Sequence, residues 1–422
     1  MKARAKKLLP RRSGPRELAT LAEIARSHDI EAWLVGGAVR DRLLGRPLPD
    51  LDVAVAGSAE TLAREMEARG LGRAVFLSRG RPGPRVYRVA GERAIDLAEL
   101  EGASLEEDLA RRDFTVNAMA VDLRTGELAD PHGGAGDLAR RRLRLVAARN
   151  LQADPLRVLR AARFLATHGL RPDRETRAAC RRAAPLLARV APERVATELA
   201  KMLEAPAPGP ALRWAAAAGI LAPALRLAPG GARWRALARR ARAFDAAGLG
   251  RLPAARRRRL RLALLARDLA FTPAEARRFL ERRRFPGDDA RAVGRLLELV
   301  REASRIEDER SEWRWIRDAG PLAEDALRLV PLACPKARGE ARRLAAGLRR
   351  RAAPLAVGGG DVLRWLGVAP GPHVGRLLRE LEIEVLSGRV KGRPEARRWL
   401  RTAGRALLAQ GAAPGSEREG GL

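Results

Sequence analysis

A chain of 422 residues is too long for one compact core, and an aromatic content of only 4% within 46% apolar residues leaves Leu, Ala and Val to fill the interiors, which favours packed helices over a β-sandwich. Cys180 and Cys334 are too few for a disulfide framework or a cysteine metal cluster. The basic residues 1–12 precede no apolar signal core, and no run of about 18 uncharged apolar residues occurs, so secreted and membrane-spanning classes are excluded and a cytoplasmic location is expected. Lys+Arg 83 against Asp+Glu 51 gives a net charge of +32, almost all of it arginine. An Ala-, Arg- and Gly-rich composition is what a GC-rich genome produces, so the distribution says more than the total. Residues 31–130 carry −4 and residues 201–300 carry +14, an acidic, metal-binding type of segment followed by a polyanion-binding one.

In chain order, apolar residues at helical spacing over 17–27 lead into a short buried strand at 32–35. Gly36-Gly37 breaks that strand, helical spacing resumes over 38–44, and Gly45, Pro47 and Pro49 end it before a second strand at 51–56. A helix over 60–70 and strands at 74–77, 86–89 and 94–97 follow, then a helical stretch after Glu106, a strand pair near 118–123 and 126–129, and a turn at 130–134. From Pro155 onward the sequence predicts helices alone, over 155–168, 176–189, 192–203 and on to about 348, with a Pro-rich joint at 206–210. The fold class is α+β: a head with a small mixed sheet over 17–147, behind a basic extension at 1–16. An all-helical neck (148–205), body (206–354) and tail (355–410) follow, with a polar, disordered tail at 411–422.

The chemistry concentrates between the first two strands. Gly36-Gly37 at a strand-to-helix turn lets backbone N–H groups face a polyphosphate, with Arg40 one turn further on to add a guanidinium. Asp50 and Asp52, two apart on a strand, leave the same face and suit hard divalent cations. Two Mg²⁺ ions there would activate a hydroxyl nucleophile and stabilise a departing pyrophosphate. Asp96, on the strand at 94–97, is the candidate third carboxylate, with Glu99 as its rival.

Together the Gly-Gly, the following Arg40 and the Asp50-x-Asp52 resemble the signature of the class II tRNA nucleotidyltransferase (CCA-adding) and bacterial poly(A) polymerase family, within the polymerase beta-like superfamily. Arg111-Arg112-Asp113-Phe114-Thr115-Val116-Asn117 is similar to its second motif. The resemblance implies that Arg111 and Arg112 touch nucleotide phosphates, with Asp113 and Asn117 beside them; without it, the arginines read as a solvated pair. The segment from Asp130 to Gly134, with Asp137 behind it, matches the family's Asp-Pro-x-x-Gly. Asp154-Pro155-Leu156-Arg157, continuing through Arg160 and Arg163, is similar to the helix that reads the incoming base without a template, Asp154 and Arg157 selecting C and A. By local rules alone, Asp154 before Pro155 is a helix cap, and Arg160 and Arg163 either face the nucleotide or are solvated. Pro192-Glu193-Arg194 resembles a bracing motif on the next helix, its Glu193 and Arg194 either an ion pair supporting the base reader or first-turn surface charges, and residues 361–378 resemble the tail that holds the tRNA elbow.

The resemblance implies a Mg²⁺-dependent nucleotidyltransferase adding C and/or A from CTP and ATP to the tRNA 3′ end. Poly(A) polymerase, a CC-only or A-only enzyme, and a non-catalytic RNA-binding protein are the alternatives. Ala153 departs from the acidic residue that many CCA-adding members carry there, which bears on the switch from CTP to ATP. None of the four histidines lies within 205–350, so no HD phosphohydrolase domain is expected there.

Overall fold

The computed structural model describes residues 16–48, 50–78, 83–246 and 248–411; nearly all of the expected basic extension, Pro49 and residues 412–422 lie outside them. Two compact units divide at Ala254 and Ala255. The expected boundary near 148 is therefore a change of secondary structure within the first unit, where head and neck share packing.

In the first unit, α1 (Arg16–Ser27) buries Leu18, Leu21, Ala22, Ile24 and Ala25, the stripe that helical spacing requires. β1 (Glu31–Val35) leads through Gly36 into α2 (Gly37–Leu43), and β2 (Asp50–Ala56) returns antiparallel to β1. After α3 (Ala59–Ala68), capped by Ser58, come β3 (Arg73–Phe76), β4 (Val86–Ala90) and β5 (Ala94–Glu99). α4 (Leu105–Ala110) precedes β6 (Ala120–Asp122) and β7 (Leu128–Ala129), completing a seven-stranded mixed sheet in the order β3-β4-β5-β2-β1-β6-β7. Alternation sends Leu51, Val53 and Val55 to the head core with Leu21, Leu62 and Met66, and leaves Asp50 and Asp52 on the open face.

α5 (Gly134–Ala139) begins where Asp130 accepts the Gly134 and Ala135 N–H groups at 2.6 and 3.0 Å. A Cβ on Gly134 would lie 2.0 Å from the Thr115 carbonyl oxygen, so only glycine fits that crossing. α6 (Asn150–Ala153) and α7 (Leu156–His168) open the neck, followed by α8 (Arg174–Ala183) and α9 (Pro192–Glu204). Phe164 of α7 meets Phe114 edge-to-face at 5.6 Å, locking neck to head.

The expectation of no strand beyond Pro155 needs one correction. β8 (Arg142–Leu143) pairs in parallel with β9 (Arg171–Pro172), a two-residue ladder that ties the end of the head to the turn after α7. Two residues, one of them proline, carry no readable alternation; only tertiary pairing makes them strands.

Among its described residues the second unit contains helices and connecting segments but no strand. Its most basic helix, Ala254–Asp268, is neutralised from within: Arg256 meets Asp325 at 2.5 Å and Arg258 meets the buried Asp289 at 2.7 Å. Part of the arginine surplus is thus spent on internal pairs. A separate apolar cluster of Val362, Leu366, Leu377, Leu381 and Leu400 builds the tail. Among the described residues no helix is long and apolar enough to cross a membrane.

Candidate active site

Because β1 and β2 run antiparallel with Leu34 opposite Val53, the end of β1 and the start of β2 meet at the same end of these two central strands. That alone brings Gly36-Gly37 and Asp50–Asp52 together. They line a cleft of about 540 Å³ that also gathers Arg40, Arg112, Asp113, Asn117, Asp154, Arg157, Arg160 and Arg163. Gly36 adopts φ 67°, so the elbow favours glycine for its conformation, and a Cβ there would also lie 2.8 Å from Arg112 Nη1 and displace that guanidinium.

Arg40 is buried at 7% exposure and largely committed to protein: Nη1 donates to Asn117 Oδ1 at 2.6 Å, while Nε and Nη2 donate to Asp41 at 3.1 and 2.8 Å. Asn117 in turn donates to Asp113 Oδ1 at 2.9 Å, and Asp113 Oδ2 faces Arg160 Nη2 at 2.8 Å. A buried chain thus runs from the elbow to α7. Burial works against the Asp113 anion, but Arg160 and the hydrogen bonds from Asn117 and the Phe114 N–H outweigh it and lower its pKa. Arg163 is similarly held, by Glu198 at 2.5 Å, and its guanidinium lies over the Phe164 ring.

Burial would also push Asp41 up, but His168, whose Nε2 stands 3.5 Å away, together with Arg40 brings its pKa down to about 2. A depressed folded-state value stabilises the fold above the ordinary 3.8 and loses that contribution as pH falls towards about 2. Asp41→Asn is therefore expected to cost about 1–2 kcal/mol at neutral pH after allowance for solvent screening. The deficit should vanish in acid, as checked by urea unfolding at a series of pH values.

Asp50 and Asp52 lie on the strand's open face, with Asp52 opposite Asp96 on parallel β5. Loss of water around the carboxylate on the cleft floor, then Asp96, with Asp50 adding, raise the Asp52 pKa against the opposing influence of Arg112 and Arg88. Asp96, the candidate third carboxylate, lies across the β2–β5 ladder from Asp52. Both its oxygens accept from Arg88 at 2.6 Å, and among the described residues no group of three or more His, Cys, Asp or Glu side chains is placed to hold a metal ion together. Glu99, its rival, falls on the opposite face of β5 by alternation and stands 3.4 Å from the Ala59 N–H. Arg111, adjacent in sequence to Arg112, pairs with Glu101 at 3.0 Å, whereas Arg112 lines the cleft and pairs with Asp108 at 2.9 Å.

On the neck side, Asp154 both caps α7, accepting the Leu156 N–H at 3.2 Å, and pairs with Arg194 at 2.9 Å. The local-cap reading and the bracing ion pair from the 192–199 segment hold together, with Arg194 supplying the brace. Arg157 donates from Nη1 to the Arg111 and Asn150 carbonyls at 2.8 and 3.1 Å.

Known proteins are similar to this chain over most of its length. The Poly A polymerase head domain pattern matches residues 32–144, and the pattern described as a probable RNA and SrmB-binding site of polymerase A matches residues 169–230. A CC-adding tRNA nucleotidyltransferase of Geobacter sulfurreducens is 34% identical over 90% of this chain and 94% of its own. The CCA-adding enzyme of Geobacillus kaustophilus is 33% identical over 87% and 92%. The chain belongs to the class II tRNA nucleotidyltransferase family. The crystal structure of the Bacillus stearothermophilus CCA-adding enzyme in complex with CTP is 29% identical, covers 94% of this chain and all of its own, and superposes with a TM-score of 0.70.

For this nucleotidyltransferase, family membership points to a divalent metal ion, and the donor set fits one. Two carboxylates share an exposed strand face, one of them disfavoured as a bare anion, and Mg²⁺ is commonly held by one or two carboxylates with substrate phosphates and water completing the shell. Lys201 on α9 also lines the cleft, and neither it nor the Asp41–His168 pair was marked by any motif in the sequence. Lys201 projects from the last neck helix, so its place at the cleft is set by packing alone.

Proposed function

We propose that this protein extends the 3′ end of tRNA with C and A residues taken from CTP and ATP, without a nucleic acid template, releasing pyrophosphate and using Mg²⁺ in the cytoplasm. The observation that carries the reading is the convergence of the glycine elbow, Asp50 and Asp52, and the Asp154–Arg157 pair on one cleft. The Gly36 N–H is held by the Met119 carbonyl at 3.3 Å, so the Gly37 N–H of the elbow and the Arg112 guanidinium receive triphosphate oxygens, while Arg40, fixed by Asp41 and Asn117, supports the elbow. Asp50 and Asp52 hold the divalent cation, which when bound supplies activation of the hydroxyl and charge neutralisation at the leaving pyrophosphate. The terminal 3′-OH gives up its proton to solvent water and attacks the α-phosphorus, and the bond from the α-phosphorus to the bridging oxygen breaks, that oxygen leaving with the pyrophosphate. Asp154 accepts from the exocyclic amine of C or A and Arg157 donates to the adjacent ring nitrogen; U and G present a carbonyl where the amine is needed. Two of the lone-pair positions of Asp154 are taken by Leu156 N–H and Arg194, leaving others for the base.

The head supports chemistry, and the neck, body and tail support RNA binding. In the second unit, Arg310, Arg314, Arg376 and Arg379 line a cavity of about 450 Å³ with the apolar Leu377, Leu407 and Leu408, a surface suited to a ribose-phosphate backbone. A CC-only activity is the second reading, favoured by Ala153 beside Asp154. The two are separated by offering tRNA transcripts that lack the whole CCA end, lack its last two residues, or lack only the final A, each with labelled CTP or ATP. The account expects C on the first two and A on the third. Absence of A addition gives the CC-only enzyme, and long A tracts on unrelated RNA would point to a poly(A) polymerase.

A further inference from the structure

The base-reading pair is held by a residue that belongs to none of the motifs. Asn150 opens α6 and is 5% exposed. Its side-chain amide Nδ2 donates to two carbonyls, Ala110 at 2.9 Å and Arg112 at 2.8 Å. These flank Arg111, whose own carbonyl accepts from Arg157 Nη1 at 2.8 Å. The Asn150 backbone carbonyl receives the same Arg157 nitrogen at 3.1 Å and the Asp154 N–H at 3.2 Å.

Both protons of Asn150 Nδ2 and both protons of Arg157 Nη1 are consumed by this arrangement, leaving the Nε and Nη2 protons of Arg157 for a ligand. An arginine side chain is long and loses considerable freedom when fixed, so its aim is set by whatever fixes the acceptors. Here the acceptors are two carbonyls, one on Asn150 itself and one on the turn that the Asn150 amide clamps from both sides. That turn also carries Arg112, on the phosphate side of the cleft.

We propose that Asn150 is a positioning residue for nucleotide selection: it aims Arg157 and Asp154 at the base edge and holds them in fixed relation to Arg112. The inference rests on the base-reading roles proposed above for Arg157 and Asp154. Asp is the sharpest substitution, because it keeps the volume and replaces two donors by acceptors that face two carbonyls; Ser is the milder one.

The test compares kcat/KM for CTP and for UTP on tRNA lacking its CCA end, in the full-length protein and in Asn150→Asp, Asn150→Ser, Arg157→Ala and the Asn150→Ser/Arg157→Ala double variant. The CTP-over-UTP ratio is expected to fall by about tenfold or more in each Asn150 variant, comparably in Arg157→Ala, and no further in the double variant. A ratio of specificity constants does not depend on the fraction of folded enzyme, so lowered stability does not mask the result. Asn150 variants that keep the wild-type ratio, or that lose CTP and UTP use equally while Arg157→Ala loses the ratio, would overturn the inference. A wild-type ratio in Arg157→Ala would instead remove the base-reading assignment itself.

Discussion

Asp52→Asn is expected to lower CMP incorporation by about 10³-fold or more while leaving the fold intact. The side chain sits on the open face of β2, contributes nothing to the head core, and is disfavoured as an anion by its setting and by Asp96 and Asp50. The sign of the stability effect follows. A carboxyl with a raised folded-state pKa makes the fold less stable as pH rises above the ordinary value of 3.8, so neutralising it removes a penalty. In metal-free buffer at neutral pH the variant should melt at or slightly above the wild type, and excess divalent cation should raise the melting temperature of the wild type more than that of the variant. Thermal melts with and without metal, alongside incorporation assays, check both halves. Full activity in the variant would remove Asp52 from the chemistry.

The second large effect is expected at Asp113, a buried carboxylate at the wall of the cleft. Asp113→Ala leaves Arg160 without its carboxylate and strips an acceptor from the Asn117 amide and the Phe114 N–H, which Asp113 Oδ1 receives at 2.9 and 2.8 Å. Asp113 is buried but the Arg160 side chain is 34% exposed, so breaking this pair costs about 2–4 kcal/mol, which for a unit of this size lowers the melting temperature by on the order of 10 °C. Replacing both partners, as Asp113→Ala with Arg160→Met, should recover part of the loss because no uncompensated charge remains. Because Asn117 also holds Arg40 at the elbow, the single variant should raise KM for CTP as well. Urea unfolding of the single and double variants measures the coupling; a loss below about 1 kcal/mol would mean the chain from elbow to α7 is not stressed by removing its middle member.

How much of this was legible in the sequence depended on how local each cause was. The strand, elbow, helix and strand around Gly36-Gly37 and Asp50–Asp52 were legible because breaks at glycine and proline and alternation along β2 act over a few residues, and antiparallel pairing then places the two motifs side by side. Asp154 was open to two readings, and the structure carries both of its local features, the cap and the ion pair. What stayed hidden was decided across the fold. Arg111 and Arg112 are neighbours in sequence, but the end of α4 sends them to different carboxylates. Asp96 lies on the expected strand, and Arg88 on the next strand, at a cross-strand distance no pattern reveals, pairs with both its oxygens. Lys201, His168 and Asn150 carry no motif, and the two-residue ladder of β8 and β9 has no period to read.

The arrangement at the heart of this account is most directly tested by anomalous diffraction from Mn²⁺ in crystals of the full-length protein soaked with CTP. The account predicts a manganese peak within coordination distance of Asp50 and Asp52 carboxylate oxygens and of the triphosphate, with phosphate oxygens received at Gly36-Gly37. A triphosphate bound away from the elbow, or a metal peak that touches neither aspartate, would contradict it.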